Sequence, residues 1–341
     1  MCGYSSGKSR TGGDSREHLV KRQSVFLVND TSVSGHPGCV TVMSVIRDNF
    51  EMRGLSIAGR WPMGAEPHLG LSITPALRQA DAVVVNGEGT IHNTHTRPGA
   101  RRLLHSIKRA LAATSAPLFL VNATIENLRP RDFEVLKLCE RIFLRDRASC
   151  RYAEENGLDV VFTPDLCFSS SYRQQLKTNQ HVVTDSTIPI TSASLHRWSR
   201  TVNARFLPMQ LSRIRSMFRW AVTPRLHEKA ADLYFSLISN ASSVVTGRFH
   251  GSVFAMIGET PFLALGSNTS KIQSLLDDVL GERSRFIGAD QLDTPGLSVP
   301  AFSLEELSLV RAYRISAAAL AQGMFDHIAQ SAVLYSRKAV L

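Results

Sequence analysis

Residues 243–265 form the run that most narrows the choice of folds. Val244 and Val245 end an apolar strand, and Gly247 and Gly251 bracket Arg248, Phe249 and His250 in a tight turn. Ser252 to Ile257 then make a short helix, apolar on nearly every side and stopped by Gly258 and Pro261. Phe262 to Leu265 return as the next strand. A helix without a polar face has to be buried, so the two polar side chains at its mouth are the exceptions. A helix N-terminus favours anions through its unpaired N–H groups and its dipole. An arginine fork placed there suits a carboxylate or a phosphate. The competing reading has Arg248 paired with a structural carboxylate and His250 as a core histidine.

The same alternation runs through residues 24–168 and predicts a parallel, doubly wound sheet with ligands gathered beyond the strand ends. Ser24 to Val28 reads as the first strand. A polar loop, Asn29 to Gly38, leads to a helix with Cys39, Val42, Met43, Ile46 and Phe50 on one face. His36 sits in that loop among Gly35, Pro37 and Gly38, either as a turn residue or as a ligand contact. The loop is neither a dinucleotide fingerprint nor a Walker loop. Leu55 to Ala58 is a short strand, and Ala82 to Asn86 a central one that ends in Gly87, Glu88, Gly89 and, further on, His92. An acid and an imidazole at a strand end are the material of proton transfer. Alternatively, Glu88 pairs with one of the arginines. Later strands are read at 117–121, 141–144 and 160–163. Arg145 closes the second of these, and Ser149 is placed to cap the helix that follows.

A polar, aperiodic stretch over 168–179 is the linker candidate. Beyond it, strands are expected at 181–184 and 205–209. A basic amphipathic segment follows over 211–220, and then a helix over 228–241 that turns Ala230, Leu233, Tyr234, Leu237 and Ile238 inward. A polar loop with Ser267 and Asn268 precedes a helix over 271–280, and residues 305–341 are mostly helical. The expected organisation is a basic tail over 1–22, a first domain over 23–168, a second over 180–302, and C-terminal helices over 303–341 that pack back across the junction. Two αβ domains in series leave a cleft between facing strand ends. It would receive His36, Glu88, His92 and Arg145 from one side, and Arg248, His250, Ser267 and Asn268 from the other.

The chain has 341 residues, enough for two core-bearing domains, and a formal charge of +10. That charge fits nucleic acid, an anionic membrane face or an acidic small substrate, but no nucleic-acid-binding module is visible. Its five cysteines have neither metal-like nor C-x-x-C spacing, which reads as reduced thiols inside the cell. No apolar run is long enough to span a bilayer. No carboxylate cluster suggests an obligate metal, and no cofactor is expected.

Several of these stretches together resemble the polysaccharide pyruvyl transferase family. They are Arg248-Phe249-His250-Gly251 with Gly258 to Leu265, Arg145 to Ser149 ahead of Pro164 and Asp165, and Asn86 to His92. The resemblance covers roughly residues 24–280. It implies an α/β fold of two Rossmann-like domains facing across a cleft, GT-B-like, with the acceptor on the first and the donor on the second. It also implies transfer of a pyruvyl unit from phosphoenolpyruvate to a sugar of a polysaccharide or lipid-linked oligosaccharide, with release of phosphate. By the same resemblance Arg248, Phe249 and His250 contact the donor, and Arg145 is the matching arginine on the first domain. Many members have a triple-glycine turn where this chain has Gly87, Glu88 and Gly89. Catalytic acid and base are left among His250, Glu88, His92 and His36. The cysteine usage places the protein in the cytoplasm, and with a lipid-linked acceptor its basic surface would suit peripheral contact with an anionic membrane. A GT-B glycosyltransferase using a nucleotide sugar is the nearest rival. Its expected carboxylate inside the short helix of the second domain is missing here. A non-catalytic sugar-phosphate-binding protein is the third reading.

Overall fold

The computed structural model describes residues 22–64, 75–171, 177–209 and 224–338. The basic tail expected over 1–22 lies outside them apart from Arg22, and the basic segment 211–220 lies outside entirely. Of the linker expected over 168–179, residues 172–176 lie outside.

Two parallel sheets carry the architecture. The first contains β1 (Ser24–Asp30), β2 (Ser56–Pro62), β3 (Ala82–Glu88), β4 (Leu118–Ala123), β5 (Arg141–Leu144) and β6 (Val160–Phe162). Their order is β2-β1-β3-β4-β5-β6. Helices α1 (Pro37–Met52), α2 (Pro75–Arg78), α3 (Pro98–Ala113), α4 (Pro130–Leu136) and α5 (Arg147–Glu155) connect them. The second sheet contains β7 (His181–Ser186), β8 (Arg205–Leu207), β9 (Ser243–Gly247), β10 (Phe262–Leu265) and β11 (Phe286–Ile287), ordered β11-β10-β9-β7-β8. With it go α6 (Pro189–Thr201), α7 (Pro224–Ser239), α8 (Phe249–Ile257), α9 (Lys271–Leu280) and the long α10 (Leu304–Lys338).

Both sheets start with the same topology. The chain lays its second strand on one side of the first and the remaining strands on the other. The order therefore reverses between β1 and β3, and again between β7 and β9. Such a reversal parts the flanking connections and opens a crevice beyond the strand C-termini. The residues at these four strand ends include Asp30, Glu88, Asp185 and Gly247.

One apolar core spans both halves. It runs from Val25, Val84 and Phe119 in the first sheet through Phe168 to Phe254, Phe262, Met324 and Phe325. Every residue of α8 is buried, as a helix apolar all round requires. Fully burying a side chain such as Phe254 contributes about 1.5–3 kcal/mol. Helix α10 ties the halves together. Its His327 meets the rings of Phe119 and Phe143, while Glu306 pairs with the buried Arg285. Among the described residues no helix is long and apolar enough to cross a membrane.

Some expectations need correction. Helix α6 leaves no clear apolar period in the sequence, because Thr191 and Ser199 face inward with Leu195. In α7 the buried stripe is Ala231, Tyr234, Phe235 and Ile238, whereas Leu233 is 61% exposed. The edge-to-face contact of Phe235 with Phe254 fixes that rotation. The first turn of α5 is capped by Asp146, which accepts from the Ser149 N–H at 2.7 Å. Ser149 Oγ instead bonds the backbone of Ile125.

Candidate functional site

The strand ends of the two sheets meet around a cavity of about 310 Å³, near the lower end of the ~300–1,000 Å³ usual for small-ligand sites. Its lining from the first half includes Thr31, His36, Cys39, Glu88, Gly89 and Arg145. From the second half come Thr187, Arg248, Phe249, His250 and Lys271.

Local sequence explains each placement. Pro37 opens α1 and leaves His36 extended as its N-cap. Glu88 ends β3 with φ of 46°, a left-handed conformation that costs a side-chain-bearing residue free energy. The turn aims its carboxylate at Thr31, whose Oγ donates to Glu88 Oε1 at 3.0 Å. Arg248 is the N-cap of α8, and His250 lies in that helix's first turn. Gly251 is obligatory there, since a Cβ would lie 2.1 Å from Thr246 Oγ1.

Both arginines are buried and held from behind. Arg145 donates from Nη1 to Asp165 Oδ2 at 2.8 Å and from Nε to Thr124 Oγ1 at 2.9 Å. Its guanidinium lies 4.3 Å from the centre of the Phe249 ring. Arg248 donates from Nε to Asp185 Oδ1 at 3.0 Å and from Nη2 to Asp185 Oδ2. Neither Asp165 nor Asp185 lines the cavity, whereas both arginines do. The ion pairs therefore orient the guanidinium groups without sealing the space in front of them. The wall carries three cationic side chains, Arg145, Arg248 and Lys271, against one carboxylate, Glu88. Such an excess of basic side chains suits an anion.

The histidines differ in their surroundings. Their rings lie 5.3 Å apart, centre to centre. Burial, then His250, Arg248 and Lys271, hold the His36 pKa well below its usual value, so His36 is a neutral imidazole. Its Nδ1 is buried without a hydrogen-bond partner among the described residues. His250 Nε2 is 3.7 Å from Asp165 Oδ2. Burial raises the Asp165 pKa, but His250 and Arg145 outweigh it and keep the carboxyl ionised far into acid. Asp165 is thus a fixed carboxylate beside the His250 ring. Asp165, Cys167 and His250 also place three ligand-type atoms within 4.8 Å of one another. A cation there would have to compete with Arg145 for Asp165 and deprotonate Cys167, whose pKa burial and Asp165 push well up. That donor set does not fit a metal.

A sequence model described as polysaccharide pyruvyl transferase matches residues 24–269. The chain belongs to the polysaccharide pyruvyl transferase family. No curated protein matches it in sequence. Among solved structures it is similar to a functionally uncharacterised protein from Klebsiella pneumoniae, with 13% identity, 78% of this chain and 92% of that chain covered, and a TM-score of 0.50. The UDP-GlcNAc 2-epimerase of Methanocaldococcus jannaschii, in complex with UDP-GlcNAc and UDP, aligns at 12% identity over 86% of this chain and 99% of that one, with a TM-score of 0.43. Likeness at such identities concerns the fold alone.

In this pyruvyl transferase family member the structure brings His36, Glu88, Arg145, Arg248, Phe249 and His250 to one cavity. It does not bring the other three candidates there. His92 is buried beside the cavity wall, with Nδ1 3.0 Å from Asn93 Nδ2. Burial, then Arg97, Lys271 and Arg145, hold its pKa at about 3. Ser267 shares a hydrogen bond with Thr187, and Asn268 Oδ1 accepts from Lys271 Nζ at 3.3 Å. They brace lining residues from outside. In the sequence Lys271 shows only as the start of a helix. The available signal was a lysine in a first turn after a strand-end loop, where the helix dipole disfavours a cation.

The buried neutral imidazoles make stability pH-dependent. In the unfolded chain a histidine titrates near 6.5, well above the folded value of about 3 for His92. Below that pH the unfolded state takes up a proton that the folded state refuses, so stability falls as pH falls. The slope reaches about 1.4 kcal/mol per pH unit for each such group, and His36 acts in the same direction. Chemical denaturation should show a lower midpoint at about pH 5 than at about pH 7, with a shallower difference in His92→Gln.

Proposed function

We propose that this protein moves the pyruvyl unit of phosphoenolpyruvate onto two hydroxyls of a sugar, releasing inorganic phosphate. The cavity carries the reading: three cations and two imidazoles, drawn from both halves, surround a space suited to a small, multiply charged donor. Arg248 and Arg145 hold the donor's anionic groups, and Phe249 keeps the Arg145 plane in place.

In the reaction a proton goes to the methylene carbon and a sugar oxygen bonds the adjacent carbon. The bond from that carbon to the phosphate oxygen breaks, and the second hydroxyl closes the ketal. Of the two hydroxyl protons, one replaces the proton given to carbon and the other leaves with phosphate. His250, backed by Asp165, is the acid, and neutral His36 is the base for the first hydroxyl. Glu88 stands in the same wall to receive the second. Positioned acid–base groups of this kind each contribute roughly 10²–10⁴-fold.

The sugar approaches from the first half. A second cavity of about 420 Å³, lined by Trp61, Arg97 and Arg102 among others, shares Met63 and Thr90 with the first. The formal charge of +10 supports work beside an anionic cytoplasmic leaflet, where a lipid-linked acceptor would be presented. The test is phosphate release from phosphoenolpyruvate with a panel of sugar acceptors, alongside product carbon NMR. A ketal carbon bonded to two sugar oxygens supports the reading. Turnover of a nucleotide sugar with none of phosphoenolpyruvate overturns it.

A further inference from the structure

We infer that Arg145 and Lys271 form a seat for a phosphate-sized dianion over Gly89. The inference deepens the proposed function by naming which part of the cavity takes the donor's phosphate. It relies on that reading only for the seat's place in the reaction.

The geometry is specific. A Cβ built on Gly89 would lie 3.1 Å from Arg145 Nη2 and 3.5 Å from Lys271 Nζ. Both donors thus flank one open point that glycine leaves unfilled. Arg145 spends Nε and Nη1 on Thr124 and Asp165, and Nη2 makes no hydrogen bond among the described residues. Lys271 Nζ makes one hydrogen bond among the described residues, the 3.3 Å donation to Asn268 Oδ1, and no ion pair. A tetrahedral dianion over Gly89 would accept from both.

The charges facing Lys271 come from every neighbouring element. Arg97 stands at the start of α3, Arg145 after β5, and Arg248 before α8. Glu88 ends β3, His250 shares the cavity wall from the first turn of α8, and the neutral imidazoles of His36 and His92 lie nearby. Burial, then Arg145, Arg97 and Arg248, lower the Lys271 pKa to about 7, with Glu88 opposing weakly. Without an anion the lysine therefore loses its proton as pH rises through neutrality. A dianion beside it favours the charged ammonium and reverses the loss. Affinity must then fall as pH climbs above the empty-site value, by up to roughly tenfold per unit for one coupled proton.

Sulfate is the suitable probe, since it keeps a fixed double charge across this range and any proton taken up belongs to the protein. Calorimetric titration of the full chain with sulfate, in buffers of differing ionisation enthalpy, reads affinity and proton uptake together. The expected result is tighter binding at about pH 6.5 than at about pH 8.5, with uptake approaching one proton at the higher pH. Lys271→Arg should bind at both pH values without uptake. Lys271→Met should bind roughly ten- to hundredfold more weakly, with its pH dependence gone. No measurable sulfate binding by the wild-type chain would overturn the inference. So would pH-independent affinity, or uptake that persists in Lys271→Arg and so belongs to His36. Coupled sulfate binding with no turnover of phosphoenolpyruvate leaves the seat standing and removes the pyruvyl reading. Turnover without coupling does the reverse.

Discussion

Arg145→Ala is expected to lower phosphate release from phosphoenolpyruvate by at least roughly 10²–10³-fold and to destabilise the fold as well. Arg145 is 4% exposed and is bonded to Asp165, itself 2% exposed, with Glu88 Oε2 3.7 Å away. Removing it leaves two buried carboxylates without their guanidinium, and breaking such a pair from one side costs about 3–5 kcal/mol. The two consequences separate in the double variant Arg145→Ala, Asp165→Asn. Neutralising Asp165 should restore much of the lost denaturation midpoint without restoring donor affinity. Recovery of activity together with stability would mean that Arg145 only supports the wall and never touches the donor.

Gly38→Ala should reduce turnover about as much as removing the His250 imidazole. A Cβ at position 38 would sit 2.0 Å from His250 Cγ and 2.3 Å from its Nδ1, inside any permitted contact. The ring would have to leave its place between Asp165 and His36. Since α8 is buried throughout, the helix has little freedom to shift instead. Gly38→Ala and His250→Ala act on one group, so their combination should be no worse than His250→Ala alone. Additive losses would show that Gly38 serves something other than the imidazole.

The chain announced its sheets more clearly than its side-chain partnerships. Ala82 to Val85 and Val244 to Val245 are buried on both faces, so they read as uninterrupted apolar runs that periodicity cannot disguise. Gly87, Glu88 and Gly89, and the Arg248 turn, stood out because polar residues interrupt such runs at their ends. Helix α6 stayed hidden because its inward face uses Thr191 and Ser199. The partner of Arg248 was open in the sequence. Asp185 lies 63 positions earlier and meets it only because β7 and β9 are neighbours. Lys271 is silent for the same reason: its meaning lies in the arginines that tertiary structure gathers round it, two of them from the other half of the chain. The loop of Ser267 and Asn268 follows the end of β10, but its side chains turn toward Thr187 and Lys271 rather than into the cavity.

A crystal structure of the protein soaked with phosphoenolpyruvate tests the central claim most directly. The account predicts the donor between Arg145, Arg248 and Lys271, its phosphate over Gly89, and its methylene carbon within reach of His250. Asp165 and Asp185 should still be bonded to the two arginines from behind. Phosphoenolpyruvate bound elsewhere, with this cavity unoccupied and both guanidinium groups engaged only by their aspartates, would contradict it.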